Sequence, residues 1–297
     1  MTDAATRPAG APTGRPARLP DDPSSMFFRG GGRHRFTARE AVVTVVSKPV
    51  DEFVRVTLSG PDFDDFVSTG PSDHVRVFFP DPATGELVAP RATGPGEDGL
   101  VRPDAPTLAR DFTPLNPRVD AATGRRSFDL DFLMHVDPGP AAAFGAHAKI
   151  GDRLVVVGPR GSKNATQNAP RVLLVVDPTA FPAASRWAAE VPASTRVDVI
   201  AAVKGDLAWV EAYFRASRDD ITVTAGGSDL ADAVRASGVD AGTFLFAAGE
   251  ASRLVPLRKL LRYELELPRN QFALSGYWKR GTAGFDHHAP IDPSDPD

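Results

Sequence analysis

From Ala41 to Phe79 the chain reads "AVVTVVSKPVDEFVRVTLSGPDFDDFVSTGPSDHVRVFF", in which apolar and polar positions alternate and Pro, Gly and Asp turns cut the β-branched runs. A period of two puts alternate side chains on one face, so the pattern predicts several short strands, each with one buried side. "RSFDLDFLMH" (126–135) and "DRLVVVGP" (152–159) continue it, and "GPAAAFGAHAK" is the single helix-like piece among them. After Pro170 the texture changes. Short, wholly apolar strands such as "RVLLVVD", "RVDVIAAV" and "TFLFAAGE" alternate with amphipathic helical stretches such as "AFPAASRWAAEV" and "SRLVPLRKLLRYELE". Strands apolar on both faces belong to a parallel sheet covered by helices on each side.

The expected fold class is therefore a β-barrel plus an α/β domain. A six-stranded antiparallel barrel over residues 36–165 precedes a doubly wound parallel-sheet domain over 170–282. Residues 1–35, rich in Pro, Gly, Arg and Ala, are expected to form a disordered tail, and residues 283–297 a flexible acidic one. The first of these has no apolar segment of the kind a secretory signal carries, so the cytoplasm is the expected location.

Composition narrows the chemistry. No apolar run approaches the roughly 20 residues of a membrane helix, and a net charge of −4 argues against general nucleic-acid binding. With no cysteine among 297 residues, the chain makes no disulfide, thiolate zinc site or conventional iron–sulfur cluster. Any redox chemistry must use a borrowed cofactor. Neither a Walker loop nor G-x-G-x-x-G is present, so the common sequence marks of nucleotide binding are missing. A barrel followed by a parallel sheet is nonetheless the layout of reductases that hold FAD on the barrel and a pyridine nucleotide on the sheet.

Three stretches fit that use. In "RDFTPL", alternation places Arg110 and Phe112 on one strand face and Asp111 and Thr113 on the other. Together they offer a flavin a cation for its pyrophosphate, an apolar wall for its ring and a hydrogen bond for the ring's polar edge. In "HVDPGPAAAF", Gly139 and Pro140 open a helix whose free N–H groups suit a phosphate, with His135 beside them. "GDRLVVVGPRGS" adds a buried strand and a second Gly-rich loop ending at Gly161 and Ser162.

These stretches, with "VVDPTAFPA", "AAGEASRLVPLRKLLR" and "SGYWKRG", occur in an order and spacing that resembles the siderophore-interacting protein family, FAD-binding ferric-siderophore reductases related to ferredoxin-NADP reductases. The resemblance runs from about Thr37 to Gly281 and is most specific in the closing "GYWKRG", where it draws in Trp278. It implies that Arg110, Phe112 and Thr113 hold FAD, that His135, Gly139, Pro140 and Ala141 hold its phosphates, and that the chemistry is carried by the flavin rather than by catalytic side chains. The family's first sheet loop resembles "GDETALPA"; here "VDPTAFPA" keeps Asp177 and Thr179 but puts Val176 and Pro178 in place of a glycine and an acid, while Leu115 stands where an arginine is usual. Reduction by NAD(P)H is thereby expected to be slow, with reduced ferredoxin as the other candidate donor. Gly249 and Glu250 of "GEAS" are intact, which argues for a surviving ligand crevice at the strand ends.

The implied substrate is a ferric siderophore, bulky and often anionic. Arg76, Arg160, Lys163, Lys279 and Arg280 are the candidate cations. A monomer is expected. Two other uses of the same chain are open: a siderophore-binding module whose flavin is structural or absent, and a flavin oxidoreductase acting on a substrate without iron. His287 and His288 hint at a metal, but adjacent side chains in an acidic tail lack fixed geometry, so no metal site is expected.

Overall fold

The computed structural model describes residues 22–121, 124–135 and 139–295. Seven antiparallel strands form the first sheet, in the order Ala109–Phe112, Val75–Phe78, Arg153–Val157, Ala38–Val50, Phe53–Ser59, Arg126–Leu133, Leu115–Val119. The first and last of these are consecutive in the chain, joined only by Thr113 and Pro114. The two edges of the sheet are thus one bent strand, and the sheet curls into a barrel; counted that way it has the six strands expected. Pro114 has no N–H to donate to a ladder, which suits it to the corner. Inward positions follow the period of two: Val54, Val56 and Leu58 face Phe128, Leu130 and Phe132 in a core with Val43, Val77 and Val156, all of these at most 5% exposed.

Helix Pro140–His147 packs on this barrel through Phe144, whose ring lies 5.3 Å from Phe79 and 5.9 Å from Phe132. Gly145 permits the close approach, since a Cβ there would stand 2.6 Å from Cβ of Phe132.

Five parallel strands form the second sheet, in the order Thr222–Ala225, Arg196–Ala201, Arg171–Val176, Thr243–Glu250, Phe272–Trp278. Helices Phe181–Glu190 and Ala208–Arg215 cover one face, packed on Val172, Leu174 and Val176. Leu230–Ser237 and Ala251–Lys259 cover the other, packed on Leu173 and Val175. The order reverses between Arg171–Val176 and Thr243–Glu250, so a crevice opens at their carboxyl ends.

Both expected tail boundaries move. Residues 22–35 are built into the fold: Gly31–Arg33 pairs with Gly161–Lys163, Phe27 is buried 6.2 Å from the Phe244 ring, and Thr166 donates to the Met26 carbonyl. A Pro/Gly-rich composition conceals the one apolar anchor and the main-chain pairing. Near the other end, Arg258 is almost fully buried on its helix and needs a counter-charge, which Asp295 supplies; Ile291 packs on the second core. Residues 1–21, 296 and 297 lie outside the described residues.

The domains meet over a wide contact. Phe53 of the barrel packs against Phe181, Trp209 and Tyr213, with the Tyr213 ring at 4.9 Å. Arg186, buried, donates to the Ser68 hydroxyl (2.8 Å) and to the Pro114 carbonyl (3.0 Å), tying the sheet domain to the barrel's bent corner.

Candidate functional site

On the barrel, Phe112 and Phe144 flank the same pair of rings: Phe112 lies 4.7 Å from Phe132 and 6.0 Å from Phe79. That packing sets helix Pro140–His147 and the strand carrying Arg110 on one aromatic cluster. The helix has an extended Gly139 at its N-cap with no side-chain cap, and open space where a Gly139 Cβ would stand. Its first N–H groups are therefore available, as are most donors of Arg110, an exposed cation that bonds only the Ala109 carbonyl among the described residues. A flat apolar wall, with a cation that has no counter-charge and a helix N-terminus that has no side-chain cap among the described residues, forms a donor set that fits FAD. His135 is exposed just past strand Arg126–Leu133, and residues 136–138 of the expected phosphate turn lie outside the described residues.

On the sheet, Asp177 organises the crevice. Its Oδ1 accepts from the Thr179 N–H (2.9 Å) and hydroxyl (2.5 Å), and its Oδ2 from the Glu250 N–H (2.9 Å) and the Trp278 Nε1–H (2.8 Å). Three strand ends are joined through one carboxylate. Gly249 sits at φ +146° with Cγ of Asp177 2.5 Å from where its Cβ would be, so no side chain fits there. Glu250 in turn caps helix Ala251–Lys259 through the Arg253 N–H (2.9 Å) and accepts from the Arg280 N–H (3.1 Å). Asp177, Thr179, Gly249, Glu250 and Trp278, drawn from three strand ends, meet at the carboxyl end of the sheet.

Tyr277 joins the two halves. Its hydroxyl lies near Thr113 of the barrel motif, and burial pushes its pKa up, Thr113 opposing and the nearby Asp177 charge adding to the rise. Sequence reading passed over Tyr277 in favour of its neighbour Trp278; its alternation with Ser275 on the last strand was the available signal. Arg186 was missed as well, because a lone arginine on an amphipathic helix resembles a surface charge.

Other expected residues stand elsewhere. Gly161 and Ser162 lie in a strand, and the Ser162 hydroxyl is occupied by Asp73 (2.5 Å), His34 (2.6 Å) and the Thr69 N–H (3.0 Å). They brace the barrel, and no flavin contact is left to that hydroxyl. Leu115 is buried at the start of its strand and presents nothing to a ligand. Arg76 makes a two-point ion pair with Asp111 (2.8 and 2.7 Å), so its charge is already matched. Burial pushes Asp111 up, yet the Arg76 and His287 bonds outweigh it and hold its carboxyl well below the usual range. Arg160 lies 3.6 Å over the Phe36 ring, a cation–π contact that leaves it exposed. Lys163, Lys279 and Arg280 are exposed. Val176 is 0% exposed within the sheet. Its side chain fills the core under helix Phe181–Glu190 and does not narrow the crevice.

Residues 42–163 match the family model of the siderophore-interacting FAD-binding domain, and residues 169–281 that of the siderophore-interacting protein. A siderophore utilization protein from T. fusca is 33% identical and superposes over 88% of this chain and 100% of its own with a TM-score of 0.71. The chain belongs to the siderophore-interacting protein family. Its barrel is the family's FAD-binding domain, and the Arg110 strand and the Pro140 helix both lie inside the matched region. This siderophore-interacting protein is also 36% identical over 155 residues to the NADPH-dependent ferric-chelate reductase of Escherichia coli, a match covering 52% of this chain and 57% of that one. It is 28% identical over 248 residues to the ferric vibriobactin reductase ViuB of Vibrio cholerae, covering 77% and 84%. Among the described residues no helix is long and apolar enough to cross a membrane.

Proposed function

We propose that this siderophore-interacting protein is an FAD-dependent oxidoreductase that takes electrons from NAD(P)H and delivers them to a ferric siderophore, which then releases ferrous iron. One observation carries the reading: Arg186, on the helix that follows the crevice loop of the sheet, donates to the Pro114 carbonyl at the end of the flavin strand (3.0 Å), so a ring held by the strand stands beside a ligand held by the crevice. The redox chemistry is that of bound FAD, two electrons in from a hydride and single electrons out to iron. The chain's own residues bind and orient. Arg110 and the Pro140 helix would neutralise the pyrophosphate, Phe112 would wall the ring, and Thr113 would offer its hydroxyl to the ring's polar edge. Asp177, by holding Gly249, Glu250 and Trp278 together, shapes the nicotinamide side.

The names of the E. coli and V. cholerae relatives support a ferric chelate as acceptor, and the first supports NADPH as donor. Arg160, Lys279 and Arg280 are the exposed cations left to attract an anionic chelate once Arg76 is paired. With Val176 inside the core, its side chain is no obstacle in the crevice, and NAD(P)H is the favoured donor over ferredoxin. The decisive test is anaerobic mixing of the yellow holoprotein with NADPH, NADH or reduced ferredoxin, followed by a ferric catecholate or hydroxamate and a ferrous trap. NADPH should bleach the flavin, and the chelate should restore its colour as the trap develops. A colourless purified protein, or bleaching with no trapped ferrous ion, would overturn the proposal.

A further inference from the structure

His287 and His288 were expected to lack a geometry, and the structure supplies one. The chain after Trp278 folds back along the last strand of the sheet, with the Phe285 ring 3.3 Å from where a Gly276 Cβ would stand. A turn capped by Asp286, whose carboxylate accepts from the His288 N–H (2.9 Å), then presents both imidazoles to His74, the residue before strand Val75–Phe78. The ligand nitrogens of His74, His287 and His288 all lie within 4.8 Å of one another. Among the described residues this is the one cluster of its kind.

The distances favour a shared cation over chance packing. Nε2 of His74 and Nε2 of His287 are 3.3 Å apart. Two nitrogens bound to one tetrahedral ion at about 2.0–2.1 Å lie about 3.3–3.4 Å from each other. A direct hydrogen bond would account for that pair alone, but not for the His288 ring, whose centroid is 4.0 Å from that of His287 and 5.8 Å from that of His74. His288 is exposed, and rotation of its side chain can bring its nitrogen to the same centre. The outer contact also fits. Nδ1 of His287 lies 3.2 Å from Oδ2 of Asp111, itself fixed by Arg76. A metal-bound imidazole commonly donates its other N–H to a carboxylate in this way, which turns the free Nε2 lone pair inward.

We propose that His74, His287 and His288 form a three-imidazole site for a divalent transition cation of the zinc class, with Asp111 as the residue that orients His287. Neutral imidazoles suit such borderline cations, and three protein ligands leave a fourth position for water. The site does not belong to the flavin crevice: on the strand Ala109–Phe112, Asp111 points to the face opposite Arg110 and Phe112. It joins residue 74 to residues 287 and 288, so the ion clasps the C-terminal segment onto the outside of the flavin strand.

The test is zinc titration of the untagged full-length holoprotein by calorimetry, with flavin content checked for each variant. The chain should bind one equivalent. His74→Ala and His288→Ala should each weaken binding by more than the roughly 10- to 100-fold expected when an outer carboxylate is lost, and Asp111→Asn should fall within that range. His147→Ala, on the exposed end of the barrel helix, should change nothing. Zinc should also slow hydrogen exchange over residues 283–290 in the unaltered chain and not in His74→Ala. Equal zinc binding by the unaltered chain and by His74→Ala or His288→Ala would overturn the site, and exchange indifferent to zinc would overturn the clasp.

Discussion

Gly249 has no room for even one methyl group, because the Asp177 carboxylate fills the place a Cβ would take and the backbone is at a φ few L-residues adopt. Gly249→Ala is expected to cost about 1–3 kcal/mol in backbone strain and to push Asp177 off the Glu250 N–H and Trp278. Both the melting temperature and the affinity for NADPH should fall, whereas a purely local strain would lower only the first. The two arginines of the flavin region make a sharper contrast. Arg110 has no carboxylate partner among the described residues, while Arg76 is bound to Asp111 at two points. Arg110→Ala should remove a charge-assisted phosphate contact of about 1.5–3 kcal/mol, a loss of roughly tenfold to hundredfold in FAD affinity. Arg76→Ala should leave flavin content unchanged; equal losses in an absorbance assay would show that the two arginines serve one ligand. Sequence alternation was enough to place Arg110 and Phe112 on one face. It was silent about which charge was already neutralised, since Arg76 and Asp111 are 35 residues apart and meet only through the pairing of two strands.

Helix Pro140–His147 is positioned by a glycine, and here intrinsic propensity and packing predict opposite outcomes. Alanine is a better helix former than glycine by about 1 kcal/mol, yet an added Cβ at Gly145 would meet the Phe132 side chain at 2.6 Å. Overpacking of this kind costs about 1–3 kcal/mol. Gly145→Ala should therefore lift the helix from the barrel and weaken FAD binding; a stabilised protein with tighter flavin would show that propensity decides. The loop after strand Arg171–Val176 is the second element where local reading and packing part. Two residues that depart from the family loop suggested a gate, but Val176 is a core residue and Pro178 occupies the first position of a short 3-10 turn, where a missing N–H costs nothing. Val176→Gly is expected to destabilise by about 2–4 kcal/mol through cavity and backbone terms, and to leave the rate of flavin reduction by NADPH no faster in stopped flow. Strands and helices were legible because their periods of two and 3.6 are printed in the chain. The corner at Thr113–Pro114 and the pairing of Gly31–Arg33 with Gly161–Lys163 were not, because such pairing depends on main-chain groups with little side-chain signal.

The two domains act as one body because buried polar groups cross between them. Tyr213 of the sheet domain donates to Asp131 of the barrel (2.7 Å), which also holds Arg55 at 2.6 and 2.8 Å, and Arg186 reaches Ser68 and Pro114. Burial raises the pKa of the Tyr213 and Tyr277 phenols above their ordinary value of 10, with Asp131 adding to the rise at Tyr213. The sign follows directly. A group whose folded pKa is raised contributes its full stability below the unfolded value and loses it as pH climbs toward the folded one. Docking of the domains should thus be insensitive to these phenols up to about pH 10 and weaken above it, as each unfolded tyrosine ionises and the folded one resists. At neutral pH, Tyr213→Phe should cost about 1.5–3 kcal/mol because its acceptor is a buried carboxylate, and Tyr277→Phe should cost less, its hydroxyl having no charged hydrogen-bond partner among the described residues. In denaturant unfolding followed from pH 8 into the alkaline range, the double variant should begin less stable and decline less steeply than the unaltered chain. Parallel declines would assign the alkaline loss to other groups, and would remove the tyrosines from the account of how barrel and sheet are held face to face.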